Sequence, residues 1–264
     1  MDQAVRTALR AFAARPRVLV AVDFDGTLAP LVTDPLQARA VPGALEALRD
    51  AATLSGVTAA VVSGRDLSTL EMLTSIGPRD GIHLIGSHGA ETRSPGASRS
   101  TPADAAGLDR AATILLDTVR IELEAIRARH PAARLENKAA AVALHTRGME
   151  PSAAKAAQEA ARDAGARHPG VHAMPGKEVV ELSVSQADKG AAVAKLAVES
   201  RSDATLYIGD DVTDERAFAA LDAVSGDLTI KVGTGETMAL HRLPDPEAVA
   251  EMLTCFIDER RMAL

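Results

Sequence analysis

Short β-branched runs alternate with helix-forming stretches through the first hundred residues, and this alternation constrains the fold more tightly than any other feature of the chain. RVLVAV is followed by VPGALEALRDAATL, then by VTAAVVSG, DLSTLEMLTSIG and IHLIGSHG. Strand, helix, strand, helix, strand predicts a parallel sheet, because parallel neighbours are joined by crossovers long enough to hold a helix. The rhythm resumes after residue 187 with DKGAAVAKLAVESR as helix, ATLYIGDD as strand, TDERAFAALD as helix, DLTIKVG as strand and PEAVAEMLTCFIDERR as a closing helix.

Between these halves the texture changes. The Ser/Pro/Gly/Thr-rich connector RSPGASRSTPAD reads as a loop crossing a boundary. A helix over roughly 105–130 follows, stopped by Pro131, then LENKAAAVALHTR as strand or hairpin, PSAAKAAQEAARDAG as helix, and VHAMPGKEVVELSV as a hairpin with a PG turn. The expectation is an α/β fold, a Rossmann-like parallel-sheet core formed by 1–104 and 186–264 with a smaller α+β domain inserted at 105–185. A length of 264 residues accommodates both.

Charge narrows the ligand class. A net charge of −7 without a dense Lys/Arg stripe argues against nucleic acid or an anionic membrane as partner, leaving a small molecule. Cys255 is the only cysteine, so no intrachain disulfide can form, and no Cys/His set has zinc spacing. The apolar run before Asp23 is too short for a signal-peptide core, and no stretch approaches a membrane span, so a soluble cytoplasmic protein is expected. The chain has no Trp, only Tyr207, and Phe at 12, 24, 218 and 256, so any sugar site must rely mostly on charge and hydrogen bonds.

In VLVAVDFDGTLAP an apolar strand ends directly in Asp23 and Asp25. Ligands of open parallel sheets bind outside the carboxyl ends of the strands, and like charges this close are costly without a cation. The same kind of position recurs at Ser63 in VVSGR, at Lys189 in QADKG at a helix start, and at Asp210, Asp211 and Asp214 in IGDDVTDE. Acids for a hard cation, with a hydroxyl, a lysine and helix N-termini for phosphate oxygens, together describe a magnesium-phosphate site.

These residues resemble the four motifs of the haloacid-dehalogenase-like phosphatases: an Asp-x-Asp, a Ser or Thr, a Lys and a terminal acidic cluster. Within that superfamily DFDGTLAPLVTDP, VVSGRDL, GSHGAE, ENKAAAVALHTR, GKEVVEL, DKGAAV and GDDVTDE look like the trehalose-6-phosphate phosphatases, over about residues 20 to 250. The resemblance implies that Asp23 attacks phosphorus to form an aspartyl-phosphate, that Asp25 serves as acid and then base, and that Ser63 and Lys189 hold phosphoryl oxygens. It implies magnesium (Mg2+) held by Asp23, the Asp25 carbonyl and Asp210, with Asp211 and Asp214 supporting. A trehalose-phosphate synthase is the implied functional partner.

The inserted domain is then expected to be a cap that selects the substrate. On extended segments Glu136 and Lys138 share a face, as do His145 and Arg147, and Lys177, Val179 and Glu181. These polar residues, with Arg65 from the core, are the candidate substrate contacts; read from the residues alone, a salt-bridged exposed sheet face is the alternative. Two departures from the family pattern are Thr146, where an aromatic is familiar, and ADKG, where an Asn before the Lys is usual. The core motifs alone also suit a phosphatase for another sugar phosphate, of sucrose-phosphate or mannosyl-phosphoglycerate type; a catalytically silent sugar-phosphate-binding module is the other alternative, against which the intact Asp23, Asp25, Lys189 and Asp210 speak, since such a module has no chemical need for all four.

Overall fold

The computed structural model describes residues 1–97, 101–102, 110–138, 140–176, 178–184 and 188–263. The chain divides into two compact units, Met1–Thr101 with Ala187–Leu264, and Pro102–Gln186.

The first unit begins with helix α1 (Gln3–Ala13), then β1 (Val18–Asp23), α2 (Ala44–Ala52), β2 (Val57–Val62), α3 (Leu67–Thr74), β3 (Ile82–Gly86) and β4 (Glu91–Arg93), with a two-residue β5 (Thr101–Pro102). The second unit contains α4 (Arg110–Arg129), β6 (Arg134–Asn137), β7 (Ala141–His145), α5 (Pro151–Ala166), β8 (His172–Gly176) and β9 (Val179–Ser183). The chain then completes the first unit with α6 (Lys189–Glu199), β10 (Ala204–Gly209), α7 (Glu215–Ala220), β11 (Leu228–Val232), β12 (His241–Leu243) and α8 (Pro246–Ala263).

The large sheet has the order β12-β11-β10-β1-β2-β3-β4-β5, parallel from β12 to β3, with β4 antiparallel to β3. Taken in chain order, its parallel strands run 3-2-1-4-5-6, so successive crossovers leave β1 in one direction and β10 in the other. The gap between those two strands is the topological switch point where such sheets bind ligands. Each face of the sheet is covered. Val18, Val20 and Val22 of β1 pack with α1, α2, α3 and α8, whereas Leu19 and Ala21 pack with Val193 and Leu196 of α6 and Ala217 and Phe218 of α7. Because successive strand residues point to opposite faces, Asp23 follows Leu19 and Ala21 toward α6.

Two stretches of the first unit were not anticipated. Helix α1 is amphipathic, burying Val5, Leu9 and Phe12, and Asp2 caps it through Val5 N–H at 2.8 Å. The connector read as loop includes the short β5.

The second unit is a four-stranded antiparallel sheet, β6-β7-β9-β8, with two helices packed on one face. Val142, Leu144, Val180 and Leu182 meet Leu116, Val119, Leu123 and Ile126 of α4 and Ala157, Ala161 and Ala164 of α5. The alanines recur at helical spacing, which explains how an alanine-rich segment forms a packed face. The region predicted as a helix over 105–130 is helical from Arg110 to Arg129, its first residues lying outside the described ones. Among the described residues no helix is long and apolar enough to cross a membrane.

Arg260 ties the C-terminal helix to the start of the sheet. Its side chain is 1% exposed and donates to the main-chain carbonyls of Ala13, Arg15, Pro16 and Ser55, closing the turn between α1 and β1. Removing it leaves several carbonyls without their donor. Arg260→Met is therefore expected to lower unfolding free energy by about 3 kcal/mol in urea titration; an unchanged midpoint would show that water replaces the guanidinium without loss.

Candidate active site

Adjacent strands β10, β1 and β2 finish side by side, with Asp23 opposite Val62 in the β1–β2 register. Asp23, Ser63 and Asp210 therefore emerge at neighbouring strand ends. Ser63 is 1% exposed and its Oγ accepts the Arg65 N–H at 3.1 Å.

Lys189 arrives from α6. Asp188 caps that helix through Ala191 N–H at 2.7 Å, so Lys189 is its first residue and projects back toward the strand ends. A Cβ at Gly190 would lie 2.8 Å from the Arg216 carbonyl oxygen, so the third residue of the DKG string permits the close approach of α6 to α7. The Lys189 ammonium, 3% exposed, donates to Asp23 Oδ1 at 2.6 Å and Asp214 Oδ1 at 2.8 Å.

Asp214 is the most fully engaged acid. Its Oδ1 also accepts the Tyr207 hydroxyl at 2.7 Å, and its Oδ2 accepts the N–H groups of Asp210 and Asp211, each at 2.9 Å. Burial opposes its ionisation, but Lys189 and these donors hold its carboxyl below the usual range. Asp23 is pushed well above that range by burial, a shift that Lys189 opposes and that Asp214 and Asp210 add to. Burial, with the charge of Asp214, raises Asp210 to about 6. Lys189 is held charged above its ordinary value: burial disfavours the ammonium, and Asp23 and Asp214 more than compensate.

Carboxylate oxygens of Asp23, Asp210 and Asp214 lie within 4.8 Å of one another. Their all-oxygen chemistry and the excess of buried acid over ammonium suit a hard divalent cation. Asp214 is the poorest ligand of the three, because both of its oxygens are already filled by donors. Asp23 and Asp210 are the better pair. Gly26, at φ +76°, makes room for the second of them: a Cβ there would lie 2.0 Å from Asp210 Oδ2. Thr27 Oγ1 stands 3.5 Å from Asp210 Oδ1. Asp211 is exposed and contributes its main-chain N–H.

Asp25 is gripped by Arg65, whose Nε and Nη2 each donate to one carboxylate oxygen at 2.6 Å while the guanidinium lies 5.9 Å from the centre of the Phe24 ring. The sequence assigned Arg65 to substrate; in this state it is committed to Asp25.

In the second unit, Glu136 and Glu181 flank Ala143 on one sheet face, opposite the face that packs on the helices. Lys138 Nζ reaches Glu181 at 2.5 Å, His145 Nε2 meets Glu136 at 2.8 Å, and Arg147 pairs with Glu178 at 3.3 Å. Of the strand or hairpin expected over LENKAAAVALHTR the hairpin forms, and its extended segments end at Asn137 and His145, short of Lys138 and Arg147. Lys138 sits in a turn closed by its N–H on the Ala141 carbonyl, and β7 stops at His145, after which Thr146 N–H bonds the Glu178 carbonyl at 2.8 Å. Lys177 lies outside the described residues.

Comparison with known proteins decides the family. A family model described as trehalose-phosphatase matches residues 21–243. The chain belongs to the trehalose-phosphatase family. The matched span runs from β1 through β12 and includes every residue of the site above. A trehalose-phosphate phosphatase of Mycobacterium leprae is 36% identical over 249 residues, 87% of this chain and 55% of that protein. The trehalose-6-phosphate phosphatase of Escherichia coli is 32% identical over 246 residues, covering 90% of this chain and 87% of its own. The chain thus spans little more than half of the first relative and most of the second. The C-terminal domain of the Candida albicans trehalose-6-phosphate phosphatase shares the fold, with a TM-score of 0.80 over 96% of both chains at 23% identity.

Three contributors to this site escaped sequence reading. Tyr207 and Lys231 lie within apolar strands, and Lys231, 5% exposed, donates its ammonium to the Asp210 carbonyl. A buried polar tip in a core strand is the available signal, since such a group must find a partner. Glu91 accepts Leu67 N–H at the start of α3 and the Ser87 hydroxyl, which accounts for the acid of GSHGAE. Because an amide at position 214 would turn a donor against donors on one of its two sides, Asp214→Asn is expected to cost roughly 3 kcal/mol of stability in chemical denaturation. Stability within about 0.5 kcal/mol of wild type would show that the hydrogen-bond set around Asp214 is dispensable.

Proposed function

We propose that the chain is a magnesium-dependent phosphatase that hydrolyses trehalose 6-phosphate to trehalose and phosphate through an aspartyl-phosphate at Asp23. The observation that carries this reading is the buried Lys189 ammonium shared between Asp23 and Asp214 at the strand ends; family membership supports the substrate.

Lys189 holds Asp23 Oδ1, so Oδ2 is the oxygen that attacks phosphorus, displacing the sugar oxygen. Asp25 gives its proton to that departing oxygen and later takes one from the water that releases phosphate. Acting so requires Asp25 to leave the Arg65 fork, and the freed guanidinium becomes the core's contribution to substrate binding. Ser63 and Lys189 hold the phosphoryl oxygens as charge develops. The Asp23 and Asp210 carboxylates and the Asp25 carbonyl would hold magnesium, which would supply positive charge where the anionic nucleophile meets the anionic phosphate. Asp211 and Asp214 support from outside that ligand set.

The polar face carrying Glu136, His145 and Glu181, with Lys138 and Arg147 from the turns beside it, serves the sugar in this reading, and Lys177 is assigned to the same role from its place in the sequence. The pairs Lys138–Glu181 and Glu136–His145, and the pairing of Arg147 with Glu178, hold these side chains in position before substrate arrives. A cytoplasmic location and a substrate supplied by a trehalose-phosphate synthase complete the proposal.

Phosphate release from a panel of sugar phosphates tests it. Trehalose 6-phosphate should be the fastest, EDTA should silence turnover, and magnesium should restore it, whereas Asp23→Asn should be inactive while folded. Faster release from a different sugar phosphate would reassign the substrate, and full activity in EDTA would remove the cation. Losing a charged hydrogen bond, Glu181→Gln should reduce kcat/KM for trehalose 6-phosphate roughly tenfold or more. A small phosphate ester should be little affected; equal losses on both would make Glu181 a structural residue.

A further inference from the structure

The mechanism above gives the hydroxyl of Tyr207 no part. Tyr207 is fully buried on β10, and it is the only tyrosine in a chain without tryptophan. Its hydroxyl shares Asp214 Oδ1 with the Lys189 ammonium, at 2.7 and 2.8 Å, while Asp214 Oδ2 is occupied by two main-chain N–H groups. A carboxylate offers about four lone-pair sites, so Asp214 is saturated. The phenol takes the lone-pair site on Asp214 Oδ1 that the ammonium leaves open.

The ring has little freedom to follow a moving partner. Its strand is buried along its whole length, and Phe218 packs against the ring edge-on, with centroids 5.8 Å apart and planes at 70°. The hydroxyl is therefore a fixed donor at a fixed place. Lys189, with two N–H groups committed to Asp23 and Asp214, keeps its third for another acceptor.

We propose that Tyr207 is a positioning residue for Lys189: by filling the second site on Asp214 Oδ1, it keeps the ammonium centred between Asp214 and Asp23. The proposal rests on the phosphatase reading of the site, in which Lys189 steadies the phosphoryl group as charge moves. Without the phenol, Lys189 recentres on Asp214, its bond to Asp23 lengthens, and its remaining N–H turns from the phosphoryl oxygen. The loss falls on the transition state rather than on substrate binding.

Tyr207→Phe preserves the ring and removes only the hydroxyl. The expected result is a roughly tenfold fall in kcat with KM changed by less than about twofold. The fall should be the same for trehalose 6-phosphate and for p-nitrophenyl phosphate, because Lys189 acts on the group they share. An unchanged kcat, or a loss confined to the sugar substrate, would overturn the proposal.

A second measurement leaves Tyr207 in place and needs no turnover. Tyr207 is the sole source of tyrosine emission, and its hydroxyl reports the charge state and contacts of Asp214. Lys189→Met should change the intensity or wavelength of that emission in the folded protein; identical spectra would overturn the coupling between the two residues. A wild type that hydrolyses no phosphate ester would refute the phosphatase reading instead, and the emission comparison would still decide whether Tyr207 and Lys189 are linked through Asp214.

Discussion

One ammonium shared by two buried carboxylates governs the arrangement of this site. Lys189 stands between Asp23 and Asp214, with Asp210 close by, and none of these acids could be buried so near the others without it. An isolated buried charge is expensive, so each partner depends on the rest being in place. That dependence reaches outward. Asp214 fastens the backbone of Asp210 and Asp211, Lys231 grips the Asp210 carbonyl, and Gly26 leaves space for the Asp210 side chain. Even so, acid exceeds ammonium, and Asp23 remains well above the ordinary carboxylate range. The same imbalance makes the cluster receptive to a divalent cation.

The sheet explains why these groups meet. Strand order reverses between β1 and β10, so the crossovers part there and leave the strand ends accessible. Parity then chooses the side: Leu19 and Ala21 face α6, so Asp23 does as well, toward the helix whose first residue is Lys189. A one-residue slip of β1 would turn Asp23 to the opposite layer, into the apolar cluster that β1 forms with α2 and α8. Apolar packing along β1 thus sets the direction in which Asp23 points.

Much of this was legible in the sequence because it is local. Alternating β-branched and helical segments foretell the parallel core, and Asp23, Asp25, Ser63, Lys189 and Asp210 all sit next to recognisable strand or helix ends. What escaped reading depends on partners distant in the chain. Arg65 turns to Asp25 across 40 residues, Tyr207 and Lys231 owe their importance to the Asp210–Asp214 turn, and Arg260 binds carbonyls more than 200 residues away. Periodicity reports which face a side chain takes, but not which polar group waits there. Lys138 and Arg147 show a further limit: alternation was extended past the point where hydrogen bonds to Ala141 and Glu178 turn the chain. Their pairing with glutamates follows from those turns rather than from strand parity.

In the proposed mechanism Asp23, held by Lys189, is the residue whose carboxylate oxygen accepts the phosphoryl group. Reductive trapping tests it most directly. Wild-type protein turning over trehalose 6-phosphate is quenched in acid and treated with borohydride, which reduces an acyl phosphate to an alcohol, and the peptide carrying residue 23 is examined by mass spectrometry. The account predicts homoserine at position 23 and at no other acid. An actively hydrolysing sample that yields unmodified Asp23, or the alcohol at Asp25, Asp210 or Asp214 instead, would contradict it.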